Sequence, residues 1–123
     1  MTAWARAELD KVGATEELEI APVRNGITGK FVTIWVVRVD DELYVRSVNG
    51  RSSNWFRAVL RHHQGRIRAD GVEKDVKLLE DDSDRNDEID ASYRAKYRRY
   101  AARIVDSIVS PKARSATLRL QPS

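Results

Sequence analysis

The sequence predicts an α+β fold in which a small antiparallel barrel, closed or partly closed, carries helices at its ends. Three connections have the character of hairpins, and strand–helix–strand alternation, which would indicate a parallel sheet, does not repeat along the chain. The predicted order is helix, three strands, helix, two strands, a long helix and a last strand. With 123 residues and 41% apolar content, the chain suits one domain, residues 1–123, around one core.

The first half of the chain predicts one helix and three strands. The helix has amphipathic spacing and ends at Gly13. The segment FVTIWVVRV is almost continuously apolar and β-branched or aromatic, which is typical of a strand covered on both faces. The pair Asp40-Asp41 then supplies a turn, so the next strand returns as the second arm of a hairpin. The predicted bounds are Trp4–Val12 for the helix, Leu18–Arg24, Phe31–Val39 and Leu43–Val48 for the strands, and Asn25–Lys30 for a glycine-containing loop.

A second helix is predicted after a glycine turn. Ser52 or Ser53 caps it, and it runs to about His63, with Gly65 just past its end. Its apolar residues form i, i+4 pairs, which predict the face that packs on the core. These pairs are Trp55 with Val59 and Phe56 with Leu60.

Two more strands, a long helix and a last strand complete the predicted fold. Asp70-Gly71 is a strong two-residue hairpin signal between the strands Arg66–Ala69 and Val72–Leu79. Ser83 caps the long helix, and the alternating segment Ala116–Gln121 makes the last strand. The apolar stripe of the long helix predicts packing against the barrel, with tyrosine hydroxyls reaching outward. That stripe consists of Ile89, Tyr93, Tyr97, Tyr100, Ile104 and Ile108.

Most enzyme and metal-site signatures are absent from the sequence. There is no Gly-x-Ser-x-Gly motif, and the lack of cysteine excludes disulfides and thiolate metal sites and fits a cytoplasmic location. His62 and His63 are adjacent, so on a helix their side chains diverge by about 100° and do not clamp one metal ion. The acidic run Glu80–Asp90 lacks the spacing of a calcium loop. No long apolar run indicates a membrane anchor. We therefore predict no metal site and no membrane partner.

The segment NGRSSNWF has the clearest physical case for a binding site. A strand ends there, a glycine loosens the backbone, and a helix begins beside two hydroxyls and an arginine. The first free N–H groups of that helix, with Arg51, Ser52, Ser53 and Asn54, suit a phosphate, and Arg46 adds a second positive charge. The alternative is that a serine only caps the helix and the arginines face water.

Nucleic-acid binding is a weaker reading of the same arginines. The side chains that extend the basic surface are Arg57, Arg61, Arg66 and Arg68. The net charge is only +3, because acidic residues are almost as numerous as basic ones, and no groove-reading motif occurs. Trp55 and Phe56 have core-like spacing rather than the spacing of an exposed stacking face. A nucleic-acid partner is therefore not expected.

Nearly the whole chain resembles a bacterial domain-of-unknown-function family numbered twenty-two fifty-five. The segments that carry this resemblance are AELDKVG, ELEIA, TIWVVRVDDELYVRSVNGR, WFRAVL, GRIRADGVEKDV, IDASYRAKY and VSPKARSATLRL.

More distantly, Lys30–Gly71 is similar to the flavin-binding split-barrel superfamily, in particular to its deazaflavin-dependent nitroreductase branch. The matching positions are Lys30 in a basic loop, Trp35 on a strand, Tyr44 and Ser47 on a hairpin, and Asn54, Trp55, Phe56 and Arg57 opening a helix. This resemblance implies a six-stranded split barrel that binds flavin mononucleotide or the deazaflavin coenzyme, with the phosphate at the NGRSSNWF corner.

The resemblance leads to a functional prediction. Lys30, Arg46, Arg51, Ser52 and Asn54 are assigned to phosphate or ribityl contacts, and Trp35, Tyr44 and Trp55 to the neighbourhood of the ring. Ser47 is a further predicted cofactor-binding residue. The alternative for Trp35 and Trp55 is that they belong to the core. An oxidoreductase acting on a small molecule is the implied activity, and a homodimer is the implied assembly. The alternative is a barrel of the same fold that binds a small ligand or a partner without a cofactor.

Overall fold

The computed structural model describes residues 3–80 and 85–123. The helices are α1 (Arg6–Ala14), α2 (Asn54–His62), α3 (Asn86–Lys96), α4 (Ala102–Ile108) and α5 (Pro111–Arg114). The strands are β1 (Leu18–Arg24), β2 (Ile27–Thr28), β3 (Val32–Ile34), β4 (Val36–Val39), β5 (Glu42–Arg46), β6 (Gln64–Ala69), β7 (Val72–Glu80) and β8 (Thr117–Pro122). A short 3₁₀ turn, Gly50–Ser52, precedes α2.

The strands form one antiparallel sheet in the order β2-β1-β6-β7-β8-β5-β4, and β3 pairs with β1. Asp70 and Gly71 both have positive φ, 46° and 80°, so the predicted two-residue hairpin turn is confirmed. Asn25 and Gly26 form a second turn of this kind, with φ of 52° and 77°, inside the segment predicted as a loop. The predicted α+β class with a partly closed antiparallel barrel is confirmed. The described residues form eight strands where the resemblance implied six.

The predicted strand Phe31–Val39 is broken at Trp35. Its first half, β3, pairs with β1, whereas its second half, β4, pairs with β5 at the other end of the sheet order. The consecutive strands β3 and β4 therefore connect the two ends of the sheet, but no continuous hydrogen-bond ladder runs along both of them. Coverage on both faces holds in β4, where Val36, Val37 and Val39 are buried, but not in β3, where Thr33 is exposed.

Alternating residues of β4 and β5 supply two separate cores, because successive strand side chains point to opposite faces. The inner core fills the barrel and includes Val36 and Val45 together with residues of α1 and α2. The outer core lies between the barrel and the C-terminal helices. It contains Val37, Val39, Tyr44, Ile89, Tyr93, Tyr97, Val105 and Ile108.

The predicted long C-terminal helix is present as three consecutive helices, α3, α4 and α5. The first break follows Lys96, and it allows Tyr97 and Tyr100 to contact the same Trp35 ring, at centroid distances of 3.8 and 5.0 Å. Ile104 was predicted to pack on the barrel, but it is 42% exposed. It lies in α4, a separate helix that does not continue the apolar stripe of α3. Ser83, the predicted cap, lies outside the described residues.

Three predicted helix-end roles are wrong. Gly13 was predicted to end the first helix, but it lies inside α1, which runs to Ala14. Ser53 is the first flanking residue of α2, but its hydroxyl bonds to Ser47 Oγ at 2.7 Å and not to a helix N–H group. The left-handed residue at the end of α2 is His63, with φ of 52°, rather than Gly65. Gly65 instead lies in β6, where a Cβ atom would meet Ala21 O at 2.9 Å.

Among the helices of residues 3–80 and 85–123, none is long and apolar enough to cross a membrane. The same part of the chain contains no group of His, Cys, Asp and Glu side chains arranged to hold a metal ion.

Candidate functional site

A cleft of about 440 Å³ opens between β3, the turn after β5, the start of α2 and the helix α4. Two half-buried tryptophans, Trp35 and Trp55, belong to its wall, and we call it the tryptophan cleft. Its lining is mainly apolar, with a few polar groups. The lining residues are Val32, Thr33, Ile34, Trp35, Arg46, Val48, Asn49, Trp55, Ile104, Ser107 and Ile108.

Trp35 is held in place by the C-terminal helices. Its ring stacks on Tyr97 with a centroid distance of 3.8 Å and an interplanar angle of 4°, and Tyr100 contacts it at a tilt. The Tyr97 hydroxyl donates to Glu16 O at 2.7 Å and accepts from Val36 N–H at 3.2 Å. Burial raises the pKa of the Tyr97 phenol, so this side chain stays a neutral hydrogen-bond donor.

Trp55 is positioned by the amphipathic face of α2. Phe56 and Val59 are fully buried in the inner core, and Trp55 packs against that core while its ring meets Phe56 edge-on at 5.9 Å. The predicted core face of this helix is therefore confirmed. The same packing directs one surface of the Trp55 indole to the cleft.

Arg46 contributes a buried cation to the wall of the cleft. Its side chain is fully buried, and all three guanidinium nitrogens donate to protein acceptors. The acceptors are Thr117 Oγ1 at 2.9 Å, Asp90 Oδ1 at 2.5 Å, Ile108 O at 3.2 Å and Asn86 Oδ1 at 3.0 Å. This network joins β5 to α3, α4 and β8.

Of the residues predicted for a cofactor site, Trp35, Arg46 and Trp55 line the tryptophan cleft. Arg51 turns away from it, since its Nη1 donates to Glu80 Oε1 at 2.5 Å and to Ser115 O at 2.9 Å. The hydrogen bond with Glu80 raises the pKa of Arg51 above its usual range.

The other predicted residues lie outside the lining. Lys30, Ser52 and Asn54 are exposed, and their side chains make no hydrogen bond or ion pair with the described residues. Ser47 is buried against Ser53, and Tyr44 is buried in the outer core, where its hydroxyl donates to Glu42 Oε2 at 2.8 Å.

Eight of the eleven described lining residues were not predicted for the site: Val32, Thr33, Ile34, Val48, Asn49, Ile104, Ser107 and Ile108. Val48 ends the predicted strand Leu43–Val48 and Asn49 follows it directly, so their place near the cleft was open to prediction. Ile104 and Ser107 were not, because their position depends on the break between α3 and α4.

Besides Arg46, Lys96 is an ionisable side chain near the wall of the tryptophan cleft that contains Trp35. It is partly buried, its Nζ donates to Val36 O at 2.5 Å, and it lies over the Tyr97 ring at 5.2 Å. Burial lowers its pKa to about 8.

The sequence profile of a family described as uncharacterized protein conserved in bacteria (DUF2255) matches residues 8–120 of the chain. The chain belongs to this family. The family predicted from the sequence is therefore confirmed. A search of curated proteins gave no match.

Solved structures of other proteins share the fold of this family member. The heme storage protein HutZ from Vibrio cholerae is 16% identical with a TM-score of 0.66, and the alignment covers 100% of this chain and 92% of that one. An F420 reductase is 11% identical with a TM-score of 0.61, covering 98% and 96%. An FAD-binding protein from Mesorhizobium loti is 16% identical with a TM-score of 0.58, covering 98% and 91%.

These similarities establish a split barrel for the DUF2255 chain. The split of the barrel lies at Trp35, where β3 pairs with β1 and β4 pairs with β5. At this level of identity the likeness describes the fold alone.

Proposed function

We propose that this chain binds a phosphorylated flavin-type cofactor, flavin mononucleotide or the deazaflavin coenzyme, in the tryptophan cleft. The observation that carries the proposal is the pair Trp35 and Trp55, two half-buried indoles in the wall of one apolar cleft of about 440 Å³. That volume falls within the range of small-molecule sites. A planar ring system presents flat apolar faces that suit aromatic walls. The split-barrel neighbours described as FAD-binding and as an F420 reductase support the same choice.

Haem fits the cleft less well than a flavin does. Haem iron is held by His, Cys, Met or Tyr side chains. None of the described residues that line the cleft is of these types, and His62 and His63 lie elsewhere, exposed at the end of α2. The likeness to a heme storage protein therefore extends to the fold and not to an iron ligand in this cleft.

The phosphate end of the cofactor is assigned to exposed donors beside the cleft. Asn54 adjoins Trp55, and Lys30 lies two residues before the lining residue Val32. Ser52 adds a hydroxyl in the turn before α2. These three side chains are free to reorient toward a phosphate, because they have no partner among the described residues.

The remaining predicted residues are given supporting roles. Arg46 and Arg51 are already paired with Asp90 and Glu80, so they shape the wall and the turn and add positive charge. Ser47 anchors the turn through Ser53. Tyr44 fixes β5 against the outer core.

A bound flavin-type cofactor would supply hydride or electron transfer to a small-molecule substrate. The chain's own residues bind and orient the ring between the tryptophans and exclude water from its apolar side. Apart from the paired Arg46, no described residue of the lining has an ionisable side chain, so the oxidoreductase activity is proposed to rest on the cofactor.

Calorimetric titration with flavin mononucleotide, riboflavin and the deazaflavin coenzyme tests the proposal. We expect saturable binding of a phosphorylated flavin, weakened about threefold to tenfold by Trp35→Leu or Trp55→Leu, since an aromatic pair contributes about 0.5–1.5 kcal/mol. The matched control is Trp4→Phe, because Trp4 lies in the inner core away from the cleft and its change leaves the affinity as it was.

The difference in affinity between flavin mononucleotide and riboflavin measures the contribution of the phosphate, because riboflavin lacks it. We expect Asn54→Ala to weaken flavin mononucleotide and to leave riboflavin binding unchanged. If neither phosphorylated flavin binds at millimolar concentration to the folded protein, the cofactor proposal is wrong.

A second candidate function is a small-ligand site without a cofactor. It is favoured by Arg46 and Arg51, whose pairing inside the protein leaves the cleft with few free charged donors. Saturable binding of riboflavin without any gain from the phosphate is the result that would favour this candidate.

A second copy of the chain is proposed to cover the rim of the cleft. Val48 and Ile104 both lie on it, and they remain 43% and 42% exposed in the single chain. Burying such side chains favours association. Analytical ultracentrifugation tests this: the wild type should sediment as a dimer and Ile104→Asp as a monomer, and a monomeric wild type contradicts the assignment.

A further inference from the structure

A second cleft, which shares no lining residue with the tryptophan cleft, lies between α2 and the β1–β2 hairpin. Its volume is about 460 Å³. The β1–β2 hairpin forms one wall and α2 forms the other. We call it the basic cleft, and the side chains on which the argument rests are Pro22, Arg24, Ile27, Ala58, Arg61 and His62.

The hairpin wall has a fixed geometry. Arg24 and Ile27 are directly opposite in the β1–β2 register, so their side chains share one face. The Asn25-Gly26 turn between them has the positive φ values of a tight two-residue hairpin. Gly29 N–H donates to Pro22 O at 2.8 Å and closes the base of the hairpin.

The helix wall is equally regular. Ala58, Arg61 and His62 are spaced i, i+3 and i+4, so they occupy one face of α2, and all three line the cleft. Ala58 is small and leaves room between the helix and the hairpin. The cleft therefore has an apolar floor of Pro22, Ile27 and Ala58 below basic side chains from both walls.

The charges of this cleft are not neutralised by the protein. Within residues 3–80 and 85–123, the side chains of Arg24, Arg61 and His62 form no ion pair or hydrogen bond, although many other arginines of the chain are paired. The two segments that build the walls, Ile20–Val39 and Leu43–Ala69, contain no Asp or Glu. An anion that enters the cleft thus meets guanidinium groups that are not already bound to carboxylates.

The apolar floor supplies a second, independent observation. Ile27 is 73% exposed, the highest value among the large hydrophobic side chains that the structure describes as exposed. Its position on a rigid hairpin, facing a cleft, indicates a contact that a bound molecule completes.

We propose that the basic cleft binds a small amphipathic anion, a phosphate monoester or a carboxylate with an apolar body. The anionic group pairs with Arg24 and Arg61, whose planar guanidinium groups suit the oxygens of phosphate and carboxylate. His62 offers a further ring nitrogen. The apolar body lies on Ile27, Pro22 and Ala58. This site is separate from the tryptophan cleft, and it stands whether or not a flavin binds there.

Amide NMR titrations with phenyl phosphate, inorganic phosphate and benzyl alcohol test the proposal. We expect phenyl phosphate to bind most tightly and to shift the amides of 25–29 and 58–63, because only this probe engages both the charged walls and the floor. Inorganic phosphate should bind more weakly at the same amides. Equal affinities for phenyl phosphate and inorganic phosphate would overturn the role of the apolar floor.

Two variants and a matched control separate the parts of the site. Arg61→Gln is expected to weaken phenyl phosphate about threefold to tenfold at low salt, the range for loss of a partly exposed charged contact. Ile27→Ser should reduce the affinity for phenyl phosphate to that for inorganic phosphate. Arg57→Gln removes the same charge from the exposed surface of α2 without altering the cleft lining, and it should change the affinity less than twofold.

Equal effects of Arg61→Gln and Arg57→Gln would overturn the proposal, because they would indicate only general attraction to a basic surface. Absence of shifts at 25–29 and 58–63 with millimolar phenyl phosphate would also overturn it. Flavin binding by Arg61→Gln is expected to equal that of the wild type, so the failure of one proposal is distinguishable from the failure of the other.

Discussion

Replacement of Arg46 by methionine tests whether one buried guanidinium holds the C-terminal helices on the barrel. The Arg46 side chain has no exposed area, and its nitrogens donate to Asp90, Asn86, Thr117 and the carbonyl of Ile108. Methionine fills much of the same volume but donates no hydrogen bond. The variant therefore leaves several acceptors without their donor, one of them a carboxylate.

The size of the effect follows from the burial of the two partners. Loss of one member of a buried ion pair costs about 3–5 kcal/mol. The lower end applies here, because Asp90 is 22% exposed and keeps an ion pair with Arg114 Nε at 3.2 Å. We expect Arg46→Met to lower the free energy of unfolding by about 3 kcal/mol, a large part of the about 5–15 kcal/mol of a typical domain.

Urea unfolding followed by circular dichroism measures this change. The matched control is Arg94→Met, since Arg94 pairs with Asp106 at 3.0 Å but both side chains are more than half exposed. That substitution is expected to cost at most about 1 kcal/mol. If Arg46→Met does not fold, Asn86→Ala removes one acceptor of the network and is expected to cost about 1 kcal/mol. A loss of less than about 1 kcal/mol for Arg46→Met would refute the reasoning, since that is the range of an exposed ion pair and not of a buried one that has lost a partner.

Three further substitutions probe the barrel and its contact with α3. Tyr97→Phe removes a hydroxyl bonded to the backbone of Glu16 and Val36 and should cost about 1–3 kcal/mol in urea unfolding. Tyr93→Phe should cost less, because the Tyr93 hydroxyl forms no hydrogen bond of good geometry with the described residues, and equal losses would contradict the assignment. Lys96 has a pKa of about 8 in the folded state, below its usual 10.5, so the folded state binds fewer protons than the unfolded state between these values. The free energy of unfolding should therefore rise with pH across that window. Lys96→Met should abolish the rise, and a rise of the same size in the variant would assign it to another group. Gly65→Ala places a Cβ atom at 2.9 Å from Ala21 O and should lower the unfolding free energy by about 1–3 kcal/mol, and an unchanged urea midpoint would contradict that contact.

Local sequence signals predicted most of the sheet. Asp70-Gly71 fixed a hairpin because few residues adopt positive φ in succession, and the bounds of β1 follow directly from its composition. The break at Trp35 was not predictable from periodicity, since FVTIWVVRV has one continuous β pattern and Trp35 is stacked on a ring that follows α3. Sequence patterns describe the local preference of a segment, whereas its partner is chosen by the whole fold.

The candidate site was predictable only in part for the same reason. Trp35 and Trp55 are aromatic residues on predicted elements, and their place in one cleft agrees with the resemblance. The roles of the arginines were harder to predict, because the sequence around an arginine at a strand end does not indicate whether a carboxylate distant in the chain will pair with it. Arg46 pairs with Asp90, and Arg51 pairs with Glu80. Both carboxylates belong to the acidic run Glu80–Asp90, for which the sequence predicted no partner.

The break in the barrel strand has a consequence for how the protein opens. The amide of Val36, just after the break, donates to the side chain of Tyr97 rather than to backbone, and Lys96 donates to its carbonyl. Backbone groups of the barrel are thus protected from water by the end of a helix. Amide hydrogen exchange at Val36 should therefore report the undocking of α3 and not the separation of strands. The barrel and its C-terminal helices behave as one cooperative unit at this point, because neither satisfies its hydrogen bonds without the other.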